Sequence, residues 1–87
     1  MNIPTIISKY RGEKSLRTFA AEVSERMPEP ITYQTIKNWE DEVTRPSYYF
    51  MLAIALHNDD WRRTMALEIL AVLKPGYYTP DQLKIIT

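Results

Sequence analysis

Five times along this chain a residue suited to capping a helix stands just ahead of apolar residues spaced three and four positions apart: Asn2, Ser15, Thr32, Ser47 and the run Asn58, Asp59, Asp60. That spacing returns once per helical turn, so it gathers the apolar side chains on one face. A capping side chain meanwhile accepts a hydrogen bond from an amide that the first turn leaves without a partner. No stretch alternates apolar and polar residues as a half-buried strand would, and there is no internal repeat or low-complexity tract. The expected fold class is all-α: five short helices in one bundle, with a short C-terminal extension.

The first pattern carries Ile3, Ile6, Ile7 and Tyr10 on one face, with Pro4 in the first turn and Gly12 as its end. The second runs over residues 16–27, with Leu16, Phe19, Ala20, Val23 and Met27 inward, until Pro28 and Pro30 stop it. The third begins at the Thr32 cap, ends at Glu40 and turns Ile36 and Trp39 inward. The fourth spans 47–57 after Pro46, and the fifth spans Trp61 to Lys74 before Pro75 and Gly76. This last pattern is apolar on more than one side, since Ala66, Leu67 and Leu70 widen the face made by Met65, Ile69, Val72 and Leu73. Packing within the chain and a seam between two copies are both open explanations of that width. Residues 1–75 form the expected domain. Residues 76–87 form a tail in which a capping-box pattern predicts a short helix over 79–86 and in which Tyr77 and Tyr78 anchor against the bundle.

Composition excludes several classes of function. With no cysteine and one histidine, the chain has no disulfide framework, and neither a thiolate nor a histidine zinc site is expected. Glycine occurs only at positions 12 and 76, so there is no glycine-rich phosphate loop. His57 has no serine and acid placed to make it a catalytic base, so no enzyme, cofactor or small-molecule substrate is expected. His57 is expected instead to serve the carbonyl end of the fourth helix, and the Tyr48, Tyr49, Phe50 cluster to join the core. The amino terminus lacks the basic start and long apolar run of a signal peptide, and no apolar stretch approaches membrane-spanning length, so a soluble cytoplasmic protein is the expectation. The 11 basic residues balance the 11 acidic ones, which leaves distribution to decide what the surface attracts. Lys9, Arg11, Lys14 and Arg17 lie close together with only Glu13 opposing them, and Glu40, Asp41 and Glu42 form an acidic run. A one-sided basic patch and a mixed-charge surface fit this equally well.

The third segment carries an unusual outward face for so short a helix: Tyr33, Gln34, Lys37 and Asn38, side chains that hydrogen-bond to base edges and phosphates. A second helix followed by a third with an exposed polar face is the helix-turn-helix plan. From about Ile6 to Leu73 the chain resembles the lambda-repressor-like, Cro/repressor (XRE type) helix-turn-helix family. "SLRTFA" at 15–20 is similar to the opening of that family's second helix. "TYQTIKNWE" at 32–40 is similar to its third, and Pro46 stands where the family has a proline before its fourth. Three departures accompany the likeness. About six extra residues separate Phe19 from Thr32, Glu42 stands where glycine is frequent, and Arg45 is the one basic residue in the following loop.

What the resemblance implies is a small five-helix bundle that binds double-stranded operator DNA, usually as a homodimer, with the third helix in the major groove. Gln34 is then the foremost base contact, suited to adenine. Tyr33 would meet a phosphate or a thymine methyl, Lys37 a guanine or phosphate, and Asn38 an adenine or the backbone. Lys14, Ser15, Arg17, Thr35 and Arg45 would contact phosphates, with Lys9 and Arg11 extending the patch and Arg45 also suited to a minor-groove edge. The function implied is a sequence-specific transcriptional regulator of the small phage or bacterial repressor type. The alternative is a protein-binding module on the same fold, which the lengthened turn, the acidic run and the wide apolar fifth helix would suit.

Overall fold

A computed structural model describes residues 2–73 and contains, among them, five helices and no strand: α1 (Ile3–Arg11), α2 (Leu16–Ser24), α3 (Tyr33–Glu40), α4 (Tyr48–His57) and α5 (Trp61–Leu73). Each helix starts where a short polar side chain takes up a first-turn amide. Asn2 Oδ1 accepts from the Thr5 amide at 2.9 Å and Ser15 Oγ from Thr18 at 3.1 Å. Thr32 Oγ1 and Ser47 Oγ accept from Thr35 and Phe50, both at 3.4 Å, and Asp60 Oδ1 accepts from Arg62 at 3.0 Å. Gly12 closes α1 at φ 58°, a backbone state that costs glycine nothing.

The apolar faces meet in a single core. Ile3, Ile6 and Ile7 come from α1, Phe19, Ala20 and Val23 from α2, and Ile36 and Trp39 from α3. Met51, Ile54 and Ala55 come from α4, and Met65, Ala66, Ile69 and Leu70 from α5. The width of the α5 face now has a cause. This helix packs on both α1 and α4, so it needs apolar residues on two sides, and Met65, Ala66, Ile69 and Leu70 are all fully buried within the chain itself. Trp61 at its start stacks on Phe19 at 5.7 Å and on Tyr10 at 6.3 Å between ring centroids.

Several boundaries and roles differ from the sequence expectation. Helix α2 stops at Ser24 rather than 27: the Glu25 and Met27 amides bond back three residues, to Glu22 and Ser24, which tightens the chain. Pro28 then bars Met27 from helical geometry, and the Ser24 hydroxyl accepts the Ile31 amide at 2.8 Å, closing the connection into α3. His57 is exposed in the last turn of α4 and, among the described residues, makes no hydrogen bond to its terminal carbonyls. The neighbouring Asn58, buried, donates its side-chain amide to the Ile54 carbonyl at 2.9 Å and performs that role. Tyr49, expected in the core, is 77% exposed, while Tyr48 and Phe50 are half-buried. The expected end of the fifth helix at Lys74, the 75/76 domain boundary and the short helix over 79–86 lie outside the described residues.

Helix α3 ends in a doubly bonded turn. The Val43 amide donates to the Asn38 carbonyl at 2.9 Å and the Glu42 amide to the Trp39 carbonyl at 3.4 Å, which requires a left-handed residue at position 42. Glu42 takes that state at φ 59°, where its Cβ crowds the backbone. Glu42→Gly is therefore expected to raise the unfolding free energy by about 1 kcal/mol, read as a shift of the urea midpoint at unchanged m. An unchanged or lowered midpoint would show that the left-handed state is not strained.

Candidate nucleic-acid interface

Helix α3 packs against α1 and α2 through Ile36 and Trp39, and this leaves the opposite face to solvent. Tyr33, Gln34 and Lys37 are exposed on that face and Asn38 is half-buried beside them, with half-buried Thr35 at its margin. Eight residues give the helix a length of about 12 Å. Gln34 Nε2 donates to Asn38 Oδ1 at 3.0 Å, so the two carboxamides form one unit. In either orientation of the amides, an uncommitted acceptor oxygen and three N–H donors remain for outside partners. Lys37 pairs with Asp41 at 3.1 Å, but both side chains are about half exposed, so an incoming phosphate can displace the carboxylate at small cost.

The basic residues between α1 and α2 do not make the one-sided patch that their closeness in sequence allows. Lys9 reaches across to Glu68 of α5 at 2.9 Å, and that hydrogen bond raises its pKa. Arg11 is bound through two nitrogens to Glu40 of α3 at 2.7 and 3.1 Å and donates also to the Lys14 carbonyl, so it fastens α1 to α3 instead of extending a phosphate-binding surface. Lys14 pairs with Glu22 at 2.8 Å and lies 4.5 Å above the Trp61 ring. Glu22 stands roughly 140° around α2 from Arg17, so Lys14 is drawn to a different side of the helix. The Ser15 hydroxyl, exposed, is engaged in its cap and in a 3.0 Å bond to Thr18 Oγ1.

Two candidate cations are left without an ion pair among the described residues, and they stand at opposite ends of α3. Arg17 lies with its guanidinium carbon 4.3 Å from the centre of the Tyr33 ring, at the start of that helix. Arg45, exposed, follows the turn at its end, beside a hollow lined by Asn2, Pro4, Trp39 and Val72. The acidic run is largely neutralised, because Glu40 is held by Arg11 and Asp41 by Lys37, which leaves Glu42 exposed. The fold thus joins Arg17, Tyr33, Gln34, Lys37, Asn38 and Thr35 into one surface, sets Arg45 at its far end, and keeps Lys14 and Ser15 apart. The Arg17–Tyr33 contact had no local signal, since the two residues lie 16 positions apart and meet only once α2 packs on α3.

No family model, no curated protein and no solved structure matches this chain. What the fold itself defines, among the described residues, is an all-helical bundle of five helices with a polar, outward-facing third helix. Among the described residues no helix is long and apolar enough to cross a membrane, and no group of three or more His, Cys, Asp or Glu is placed to hold a metal ion.

Proposed function

We propose that this protein is a sequence-specific DNA-binding regulator of transcription, built on the lambda-repressor-like helix-turn-helix plan, with α3 as the helix that enters the major groove. The observation that carries this reading is the pairing of an outward carboxamide unit, Gln34 and Asn38, with arginines at the two ends of the same helix that have no ion pair among the described residues. A groove-reading helix needs a few positioned donors and acceptors to discriminate bases and cations beside it for the phosphates. The zero net charge fits as well, since Lys9, Arg11, Lys14 and Arg62 are consumed by carboxylates of the bundle and do not enter the DNA-facing field.

Few phosphate contacts per chain make the affinity of a single copy modest and its salt dependence shallow. Two or three cations would give a slope of about −2 to −3 in log K against log salt concentration. A homodimer doubles the contacts and reads two half-sites. Selection of bound sequences from random duplexes is the test. The expected winners share an inverted repeat whose half-sites lie about one helical turn apart. No enrichment over the starting pool would contradict the reading.

A protein-binding role has one observation in its favour. Met27, Pro28, Pro30 and Ile31 of the lengthened connection face Tyr49, Phe50 and Ala53 of α4 across an open groove of about 470 Å³. That role predicts a partner retained after nuclease treatment and no selected DNA sequence.

A further inference from the structure

We infer that Arg17 is a base-reading, specificity-determining residue, a guanine reader held in place by the Tyr33 ring, and not one more phosphate contact; this rests on the DNA-binding reading above. Lys9, Arg11, Lys14, Lys37 and Arg62 are each matched to a carboxylate at 3.1 Å or closer, and Arg63 donates to the Ala55 carbonyl. Arg17 instead sits against an aromatic face 4.3 Å away. The two kinds of partner have different consequences. A carboxylate takes up the N–H groups of a guanidinium, whereas a ring attracts its charge and accepts none of its in-plane donors. Arg17 makes no hydrogen bond within the described chain, so its fork is positioned and yet fully available.

Position decides what the fork meets. Tyr33 is the first residue of α3, and residues at the start of a groove-reading helix are the ones that approach base edges. A guanidinium lying on that ring shares its depth in the groove. The floor beside it is made of small side chains, Ala20, Ala21 and Ser24, which with Pro30 and Ile31 leave an open hollow where a base edge can come close. The acceptor pair that fits a planar fork in the major groove is O6 and N7 of guanine. A phosphate would need only the charge, with no ring to aim it, and Lys would serve as well.

The experiment measures binding of the wild type, Arg17→Lys, Arg17→Ala, Tyr33→Phe and Tyr33→Ala to the selected duplex and to a scrambled one, with helicity checked for each variant. A series of duplexes carrying 7-deazaguanine in place of single guanines completes the set. Arg17→Lys is expected to lose about tenfold or more on the selected site and little on the scrambled one. One 7-deazaguanine position should weaken the wild type about tenfold and leave Arg17→Lys unaffected. Tyr33→Phe, which keeps the ring, should retain the guanine preference that Tyr33→Ala loses. Equal losses on both duplexes for Arg17→Ala, together with retained preference in Arg17→Lys, would overturn the inference while leaving the DNA-binding reading intact. Failure of the wild type to prefer the selected duplex would overturn both.

Discussion

Replacing Arg62 with alanine is expected to lower the unfolding free energy by about 2 to 3 kcal/mol, the largest loss among the charged residues of the chain. Arg62 is 6% exposed, yet it is fully engaged. Its Nε and Nη2 donate to the two oxygens of Asp60 at 3.0 and 2.6 Å, and Nη1 donates to the Glu22 carbonyl at 2.8 Å and to Glu25 at 3.1 Å. One side chain therefore satisfies the carbonyl end of α2 and orders the cap of α5, across 40 residues of sequence. Because Asp60 and Glu25 keep access to water, the loss falls short of that for a wholly buried pair.

The same contact sets an acid response. The Arg62 hydrogen bond holds the Asp60 carboxyl at about 2, well below its ordinary 3.8. A depressed carboxylate favours the folded state wherever it is ionised. Its contribution is complete above pH 4 and is lost as the pH falls from there through 2. Arg62→Ala should therefore lose less stability than the wild type between pH 4 and 2, measured by urea unfolding at each pH. A variant within about 0.5 kcal/mol of wild type at neutral pH would show that the cluster does not hold α2 to α5.

Gln34→Ala and Asn38→Ala are each expected to cost about 1 to 3 kcal/mol of binding to the selected duplex, and the double variant less than the sum. The reason is the 3.0 Å bond between the two amides. Removing either one frees the other to rotate and to bond to water, so both readouts suffer from a single deletion. Folding should be unaffected, since neither side chain belongs to the core. Strict additivity in anisotropy titrations would mean that the two amides act separately. Undiminished affinity in both single variants would remove them from the interface.

Much of the fold was legible because its causes are local. Caps at Asn2, Ser15, Thr32 and Ser47 act within four residues, and an apolar residue at helical spacing has one face to occupy, so Ile6, Phe19, Ile36 and Trp39 fell where periodicity put them. The left-handed state of Glu42 was also foreseeable, from the place where a glycine was missing. What sequence alone left hidden depends on which helices meet. Arg62 looks like half of an exposed charged dipeptide until α2 supplies Glu22 and Glu25. The basic run from Lys9 to Arg17 looks like a patch until α3 and α5 bring Glu40 and Glu68 against it. Likewise, the breadth of α5 leaves packing within the chain and a second copy both open until α1 and α4 are seen against it.

The most direct test of the proposed function is an amide chemical-shift titration of the folded protein with short double-stranded DNA at low salt. The account predicts that the perturbed amides cluster over residues 32–38 and around Arg17 and Arg45, and fade as salt is added. Shifts confined to 27–31 and the exposed side of α4, or no shifts with any duplex, would contradict it.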